Sequence, residues 1–184
     1  MVEIRTLDKF NPADLERIGP NYTSTQRYVV TKTETHERFN LTLELVELDT
    51  PYTKGFMRGA GLYGYYREML DDGFSLGAYD ERGQMIGIAI AQSQAWNRTL
   101  NVWEFHVLPR LRGQGVGTQM MARLIEKAQA ARLRVIELET SVSNIPAVRF
   151  YRKQGFTIES LDLSYYSNED VERGDVAIFM KRTL

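Results

Sequence analysis

Between residues 74 and 130 the apolar residues change their spacing, and that change constrains the fold more than any other feature of the chain. Phe74–Tyr79, Gln84–Ser93 and Thr99–Val107 read as strands. Short turns join them: Asp80-Glu-Arg-Gly83 offers a glycine for positive φ, and Trp96-Asn-Arg98 makes the next reversal. Three strands in series with such turns predict an antiparallel meander. Beyond Arg112-Gly-Gln-Gly-Val-Gly-Thr118 the period becomes helical. Met120, Met121, Leu124, Ile125 and Ala128 recur on one side, with Gln119, Arg123, Glu126 and Lys127 on the other. Arg134–Thr140 then reads as a buried strand, Ile145–Gln154 as a helix with Pro146 near its start, and Gly155–Ile158 and Asp175–Lys181 as two closing strands. The order β-β-β-α-β-α-β-β predicts an α/β (α+β) fold in which helices pack on a mixed sheet.

The N-terminal part carries less regular signals. Glu3–Leu7 alternates as a short strand, and Pro12–Ile18 predicts a helix capped by Asn11 with Pro12 in its first turn. Arg27–Thr33 and Phe39–Leu48 read as strands. Pro51–Gly64, with glycines at 55, 59, 61 and 64, reads as a loop leading into a short helix, Tyr65–Asp72. No repeat or low-complexity linker divides the chain, so residues 1–184 are expected to form a single domain.

Composition removes several function classes. With 23 Lys+Arg against 24 Asp+Glu and a net charge of −1, the chain lacks the basic excess of a nucleic-acid binder. Without Cys it has neither a disulfide framework nor a thiolate metal site. His36 and His106 are the only histidines and neither stands at ligand spacing, so no metal is expected. Apolar stretches such as Met85–Ala91 are too short to span a bilayer, so no membrane partner is expected. Met1-Val-Glu-Ile-Arg5 lacks the basic start and long apolar run of a signal peptide, which predicts a cytoplasmic protein. Asn21, Asn40 and Asn97, each in an Asn-x-Thr triplet, then read as chance sequons. No G-x-S-x-G elbow supports a serine hydrolase.

The glycine-rich segment 112–118 is the most specific local signal. Its glycines allow backbone N–H groups to approach an anion, the helix that follows adds its positive dipole end, and Arg112 adds a forked cation. A P-loop would need Lys-Ser/Thr after the last glycine, where Thr118-Gln119 stands. A dinucleotide fingerprint would need its third glycine one residue later, although Glu137 or Glu139 falls near the expected acidic position. The preceding meander also argues against that fingerprint. A plain tight connector between strand and helix is the remaining bland reading.

Arg112-x-x-Gly115-x-Gly117, with Val107-Leu-Pro109 before it and Asn144…Ala147-Val-Arg-Phe-Tyr151-Arg-Lys-Gln-Gly155-Phe156 after it, resembles the GNAT acyltransferase superfamily over roughly the C-terminal half of the chain. The resemblance implies a mixed, mostly antiparallel central sheet, splayed at the cofactor strand, with helices on both faces. It implies acetyl-CoA as cofactor, its pyrophosphate on Arg112, Gly113, Gln114, Gly115, Val116, Gly117 and Thr118. The pantetheine arm would lie along Phe105–Val107, where that strand splays from Arg134–Thr140. It makes Asn144 a coenzyme contact and Tyr151 the general acid for the departing thiolate. Ser93–Leu100, Asp49–Lys54, Ala177–Met180 and, less specifically, Tyr22–Thr31 are similar to streptothricin (nourseothricin) acetyltransferases. That likeness implies acetylation of an amine on the antibiotic's β-lysine moiety, and hence resistance. The alternatives are an acetyltransferase for another polyamine or a peptide amine, and a non-catalytic acyl-CoA-binding sensor. A homodimer through the C-terminal strands is compatible with the sequence.

Amine acetylation sets further requirements. Alternation along Thr99–Val107 puts Val102, Glu104 and His106 on one face and Trp103, Phe105 and Val107 on the other, unless a bulge intervenes. Glu104 is the first candidate for general base and His106 the second. A cross-strand ion pair and a hydrogen-bonded sheet histidine explain the same residues equally well. A backbone N–H near Val107 could stabilise the thioester oxyanion. Tyr151 could also simply pack with Phe150 and Phe156. A chain without Cys cannot form an acetyl-cysteine, which favours direct transfer. A cationic acceptor calls for carboxylates and aromatic faces, and Asp49, Asp71, Asp72, Asp162, Trp96, Tyr165 and Tyr166 are available.

Overall fold

Asn11 opens the first helix as its sequence suggests: the side chain accepts from Ala13 N at 3.1 Å, and Pro12 occupies the first turn, where its missing N–H costs nothing. In the computed structural model of the chain, which describes residues 2–55 and 60–184, the elements begin with β1 (Glu3–Thr6), α1 (Pro12–Ile18), β2 (Asn21–Glu34), β3 (Phe39–Gly55) and α2 (Ala60–Met69). Next come β4 (Leu76–Tyr79), β5 (Met85–Gln94), β6 (Thr99–Val107), α3 (Val116–Ala130) and β7 (Val135–Ser141). The chain closes with α4 (Ile145–Lys153), β8 (Thr157–Asp162), α5 (Asp170–Arg173) and β9 (Ala177–Thr183). It divides into two units, one of Met1–Pro20, Gly55–Leu138 and Lys181–Leu184, the other of Asn21–Lys54 and Glu139–Met180.

In the first unit the strand order is β1-β4-β5-β6-β7. The first four are mutually antiparallel, and β7 joins β6 in parallel from Thr99/Val135 to Val102/Leu138. The fold is therefore mixed α/β with a mostly antiparallel sheet. The β4–β5 turn is built by Asp80, whose Oδ1 accepts from Arg82 N at 3.0 Å and Gln84 N at 2.9 Å. Ile86, Ile88 and Ile90 of β5 are buried, as are Met120, Met121, Leu124 and Ala128 of α3. The apolar stripe read from the sequence is thus the face α3 buries; Ile125 flanks it, half-buried.

In the second unit the order is β7-β9-β8, beside a separate two-stranded ribbon, β2-β3. Tyr28 N of the ribbon donates to Val142 O, and Val142 N donates to Val176 O, each at 2.9 Å. Val142, Ile145, Val148, Phe156, Val176 and Ile178 are buried.

The loop expected over Pro51–Gly64 is corrected. β3 continues to Gly55, and α2 already starts at Ala60; the residues between lie outside the described ones. Pro51 is tolerated because a two-stranded ribbon leaves outward N–H groups that no ladder needs, and Thr23 and Thr53 still pair across it through their hydroxyls at 2.8 Å. Gly61 and Gly64 do not prevent a helix because Tyr66 and Met69 bury one face of it, with Phe10 against Tyr63 and Tyr66 at ring separations of 5.9 and 5.7 Å. The Tyr65–Asp72 expectation thus becomes α2 followed by a single tight turn, Leu70–Asp72, which Gly73 closes at φ 74°. No helix among the described residues is long and apolar enough to cross a membrane.

Candidate functional site

The segment 112–118 turns from β6 into α3 as the sequence predicts. Gly113 and Gly115 take φ values of 77° and 86°, a conformation that side-chain-bearing residues rarely adopt. A Cβ added at Gly113 would meet no heavy atom within 4 Å, so this backbone is approachable. Gly115 is the N-cap of α3 and, having no side chain, makes no side-chain cap bond to the first N–H groups of the helix. Arg112 Nε donates to Val107 O at 3.1 Å, which fastens the loop to the end of β6. Burial draws the Arg112 guanidinium below its ordinary range without threatening its charge.

On β6 the register shifts opposite Ile90 and Ala91: Ile90 faces Glu104 and Ala91 faces Val102, leaving Trp103 as the extra, exposed residue. This bulge falls immediately before the candidate base and corrects the expected faces: Glu104 and His106 stay together, whereas Val102, paired with Ala91, falls on the face of Phe105, which pairs with Ala89. Glu104 and His106 are two residues apart and meet directly, His106 Nε2 lying 2.5 Å from Glu104 Oε2 with both side chains about one-tenth exposed. The other oxygen, Oε1, accepts from Tyr66 Oη of α2 at 2.8 Å. The imidazole rests on Gly19, where a Cβ would stand 2.6 Å from His106 Cγ. So the carboxylate is oriented by a phenol and an imidazole, and the imidazole by a glycine. Tyr66 and Gly19 were not legible as site residues: Tyr66 lies 38 positions from Glu104, and only folding reveals the pair. Phe105 and Val107 lie on the same strand, half-buried, opposite Ala89 and Gly87.

In the second unit Asn144 caps α4, accepting from Ala147 N at 3.3 Å. Tyr151, on the same helix, is buried between Phe150 and Phe156, at ring separations of 5.3 and 5.8 Å. The aromatic packing weighed from the sequence is therefore present, and it holds the phenol's ring in place. A polar chain missed by sequence reading runs through the same unit: Tyr22 Oη and Ser143 Oγ are 2.6 Å apart, Ser143 Oγ and Ser141 Oγ 2.8 Å, and Ser141 Oγ donates to Asp175 Oδ1 at 2.5 Å. Lys54 pairs with Asp175 and lies 4.7 Å from the centre of the Tyr166 ring. Burial pushes the Tyr22 phenol up to about 12; Tyr166, buried and bonded to Glu139, is also raised. Of the acceptor-site carboxylates and aromatics considered, Asp72 instead accepts from Ser93 N and Oγ, and Trp96 is 85% exposed.

The family model described as acetyltransferase (GNAT) family matches residues 42–156. A streptothricin acetyltransferase of Streptomyces lavendulae is 32% identical over 98 residues, 53% of this chain and 51% of that protein. The match thus spans about half the length of that relative. The crystal structure of a nourseothricin acetyltransferase superposes with a TM-score of 0.74 at 30% identity, covering 99% of this chain and 98% of that one. A Bacillus anthracis str. Ames protein solved in complex with acetyl coenzyme A shares the fold at 24% identity and a TM-score of 0.75, over 100% of both chains.

Proposed function

The chain belongs to the acetyltransferase (GNAT) family, and from that premise we propose that it transfers the acetyl group of acetyl-CoA directly to a primary amine of a small cationic substrate, streptothricin. Residues 1–184 act as one domain in this reading, and the product is a detoxified antibiotic in the cytoplasm. The likeness to streptothricin and nourseothricin acetyltransferases supports the acceptor.

The chain's own residues fit acetyl-CoA. Gly113 and Gly115 expose backbone, the α3 N-terminus has no side-chain cap, and Arg112 supplies a cation, which together suit a pyrophosphate. Arg112, Gly113, Gln114, Gly115, Val116, Gly117 and Thr118 would hold it, with Phe105, Val107 and Asn144 as further contacts. When bound, the cofactor supplies a thioester as acyl donor.

The single observation that carries the reading is the doubly held Glu104 carboxylate. A lysine-like amine is protonated at neutral pH, and removing its proton at pH 7 costs about 4.6 kcal/mol from a pKa near 10.4. Glu104 accepts that proton, directly or through water, and His106 and Tyr66 keep its oxygens oriented. Val107 N–H stabilises developing negative charge on the acyl oxygen. Tyr151, fixed by its aromatic neighbours, holds at its phenol oxygen the proton that the leaving group takes up.

Thiol release from acetyl-CoA, followed with the purified chain, tests the reading. Streptothricin should stimulate release, and a sensitive host expressing the chain should grow on the antibiotic. Release with other polyamines or peptide amines but not with streptothricin moves the acceptor; no release with any amine leaves an acyl-CoA sensor.

A further inference from the structure

Arg27, on β2 of the second unit, carries a side chain that the fold leaves incompletely satisfied. Its Nε is buried and has no hydrogen-bond partner. Gly174, which closes α5 at φ 65°, crowds the guanidinium: a Cβ there would stand 2.8 Å from Arg27 Nη1. Buried N–H groups are nearly always paired, because leaving one unmet forfeits its hydration without return. Arg27 borders a cavity of about 310 Å³ formed wholly within its own unit. Arg173 lines the same cavity, its guanidinium also paired with Glu169, and Thr50 and Ser143 add hydroxyl-bearing side chains. Leu48 and Pro51 make part of the wall apolar, which strengthens any charge contact inside. The nearby carboxylate of Asp175 is engaged by Lys54, Ser141 and Ser143.

We propose that this cavity binds a small oxyanion, a carboxylate or a phosphate-type group, gripped by Arg27. A guanidinium stays charged and presents planar donors matched to such groups. One water needs only about 10–15 Å³ of such space, so the oxyanion can be one end of a larger molecule. Its source is either the acidic group of an acceptor that also carries an amine or a free anion such as inorganic phosphate. The site stands independently of the streptothricin reading.

The test is calorimetric titration of the full chain, saturated with acetyl-CoA so that segment 112–118 is occupied, with sodium phosphate and with sodium acetate at constant ionic strength. Saturable binding is expected at millimolar concentration, weakened about tenfold or more in Arg27→Gln. Should Arg27→Gln fail to fold by circular dichroism, Arg27→Lys carries the test: it keeps the charge, loses the fork, and should weaken binding several-fold. Absence of saturable binding in the wild-type chain, or equal binding in the folded variant, overturns the proposal. The source is read separately by thiol release with β-alanine and with β-alaninamide. An acceptor's own acid group is indicated if Arg27→Gln raises KM for β-alanine about tenfold more than for its amide. Phosphate binding with no such difference assigns the site to a free anion.

Discussion

Glu104 has both carboxylate oxygens engaged, one by Tyr66 and one by His106, and this double restraint is what a base needs to keep its position while substrates come and go. Replacement by glutamine preserves size and an oxygen that can still accept from Tyr66, but it removes the basic site. Glu104→Gln is therefore expected to lower kcat by about 10²- to 10⁴-fold while leaving acetyl-CoA affinity unchanged, measured by steady-state thiol release and by calorimetry. A loss of less than about threefold would take the base role away from Glu104. Gly19 belongs to the same assembly by what it omits. Any side chain there would enter the space of the imidazole, so the glycine is a positional requirement of His106 rather than of the helix it follows.

At the level of elements, much of the C-terminal half was legible because hydrophobic period and turn chemistry agree. Thr99–Val107 is a strand over the residues expected, and the stripe Met120–Ala128 is the buried face of α3. The reading failed where tertiary packing overrode local preference. Gly61 and Gly64 suggested a loop, yet Tyr66 and Met69 bury enough surface to hold a helix there. Pro51 and Gly55 suggested an end to β3, yet the ribbon runs past the first and ends at the second. α5 was missed because a four-residue helix has no period to detect. At the site, the glycine-rich turn from β6 into α3 was legible as a local signal. The partners of Glu104 were not, since Tyr66 and Gly19 reach it only through the packing of α2 and the end of α1. The loop also yields a prediction at this scale. Gly115→Ala forces a Cβ into left-handed backbone, which should cost about 1–2 kcal/mol of stability by denaturant unfolding. The same change should weaken acetyl-CoA binding, because the cap N–H groups can no longer hold their orientation. Unchanged affinity in a folded Gly115→Ala chain would detach this helix end from the cofactor.

For the whole molecule, a net charge of −1 means that the overall field is weak, so a cationic acceptor, if that is the substrate, would have to be drawn in by local carboxylates. Stability should respond to alkali through Tyr22. Its phenol titrates near 10.0 when unfolded and near 12 when folded, chiefly through burial. The folded state therefore keeps a proton that the unfolded state releases. This contribution is fully present below pH 10 and is lost as pH rises through 12, a fall of roughly 3 kcal/mol. Denaturant unfolding across that range should show the decline, and Tyr22→Phe should make it shallower; Tyr166, raised in the same direction, accounts for part of what remains. An identical slope in Tyr22→Phe would mean that Tyr22 ionises alike in both states.

The two units are interleaved along the chain, so neither is a single stretch of sequence. The first unit contains the last four residues, where Leu184 N donates to Arg134 O at 3.1 Å and Lys181 pairs with Glu137 at 2.6 Å. The second contains Asn21–Lys54 but also Glu139–Met180. More than eighty residues, Gly55–Leu138, separate the two segments of the second unit, so the ribbon meets the rest of its unit only through contacts of long sequence separation, such as Tyr28 N to Val142 O. Such contacts must close a long loop before they stabilise anything, so refolding is expected to be slower than for a chain of equal length built from local contacts.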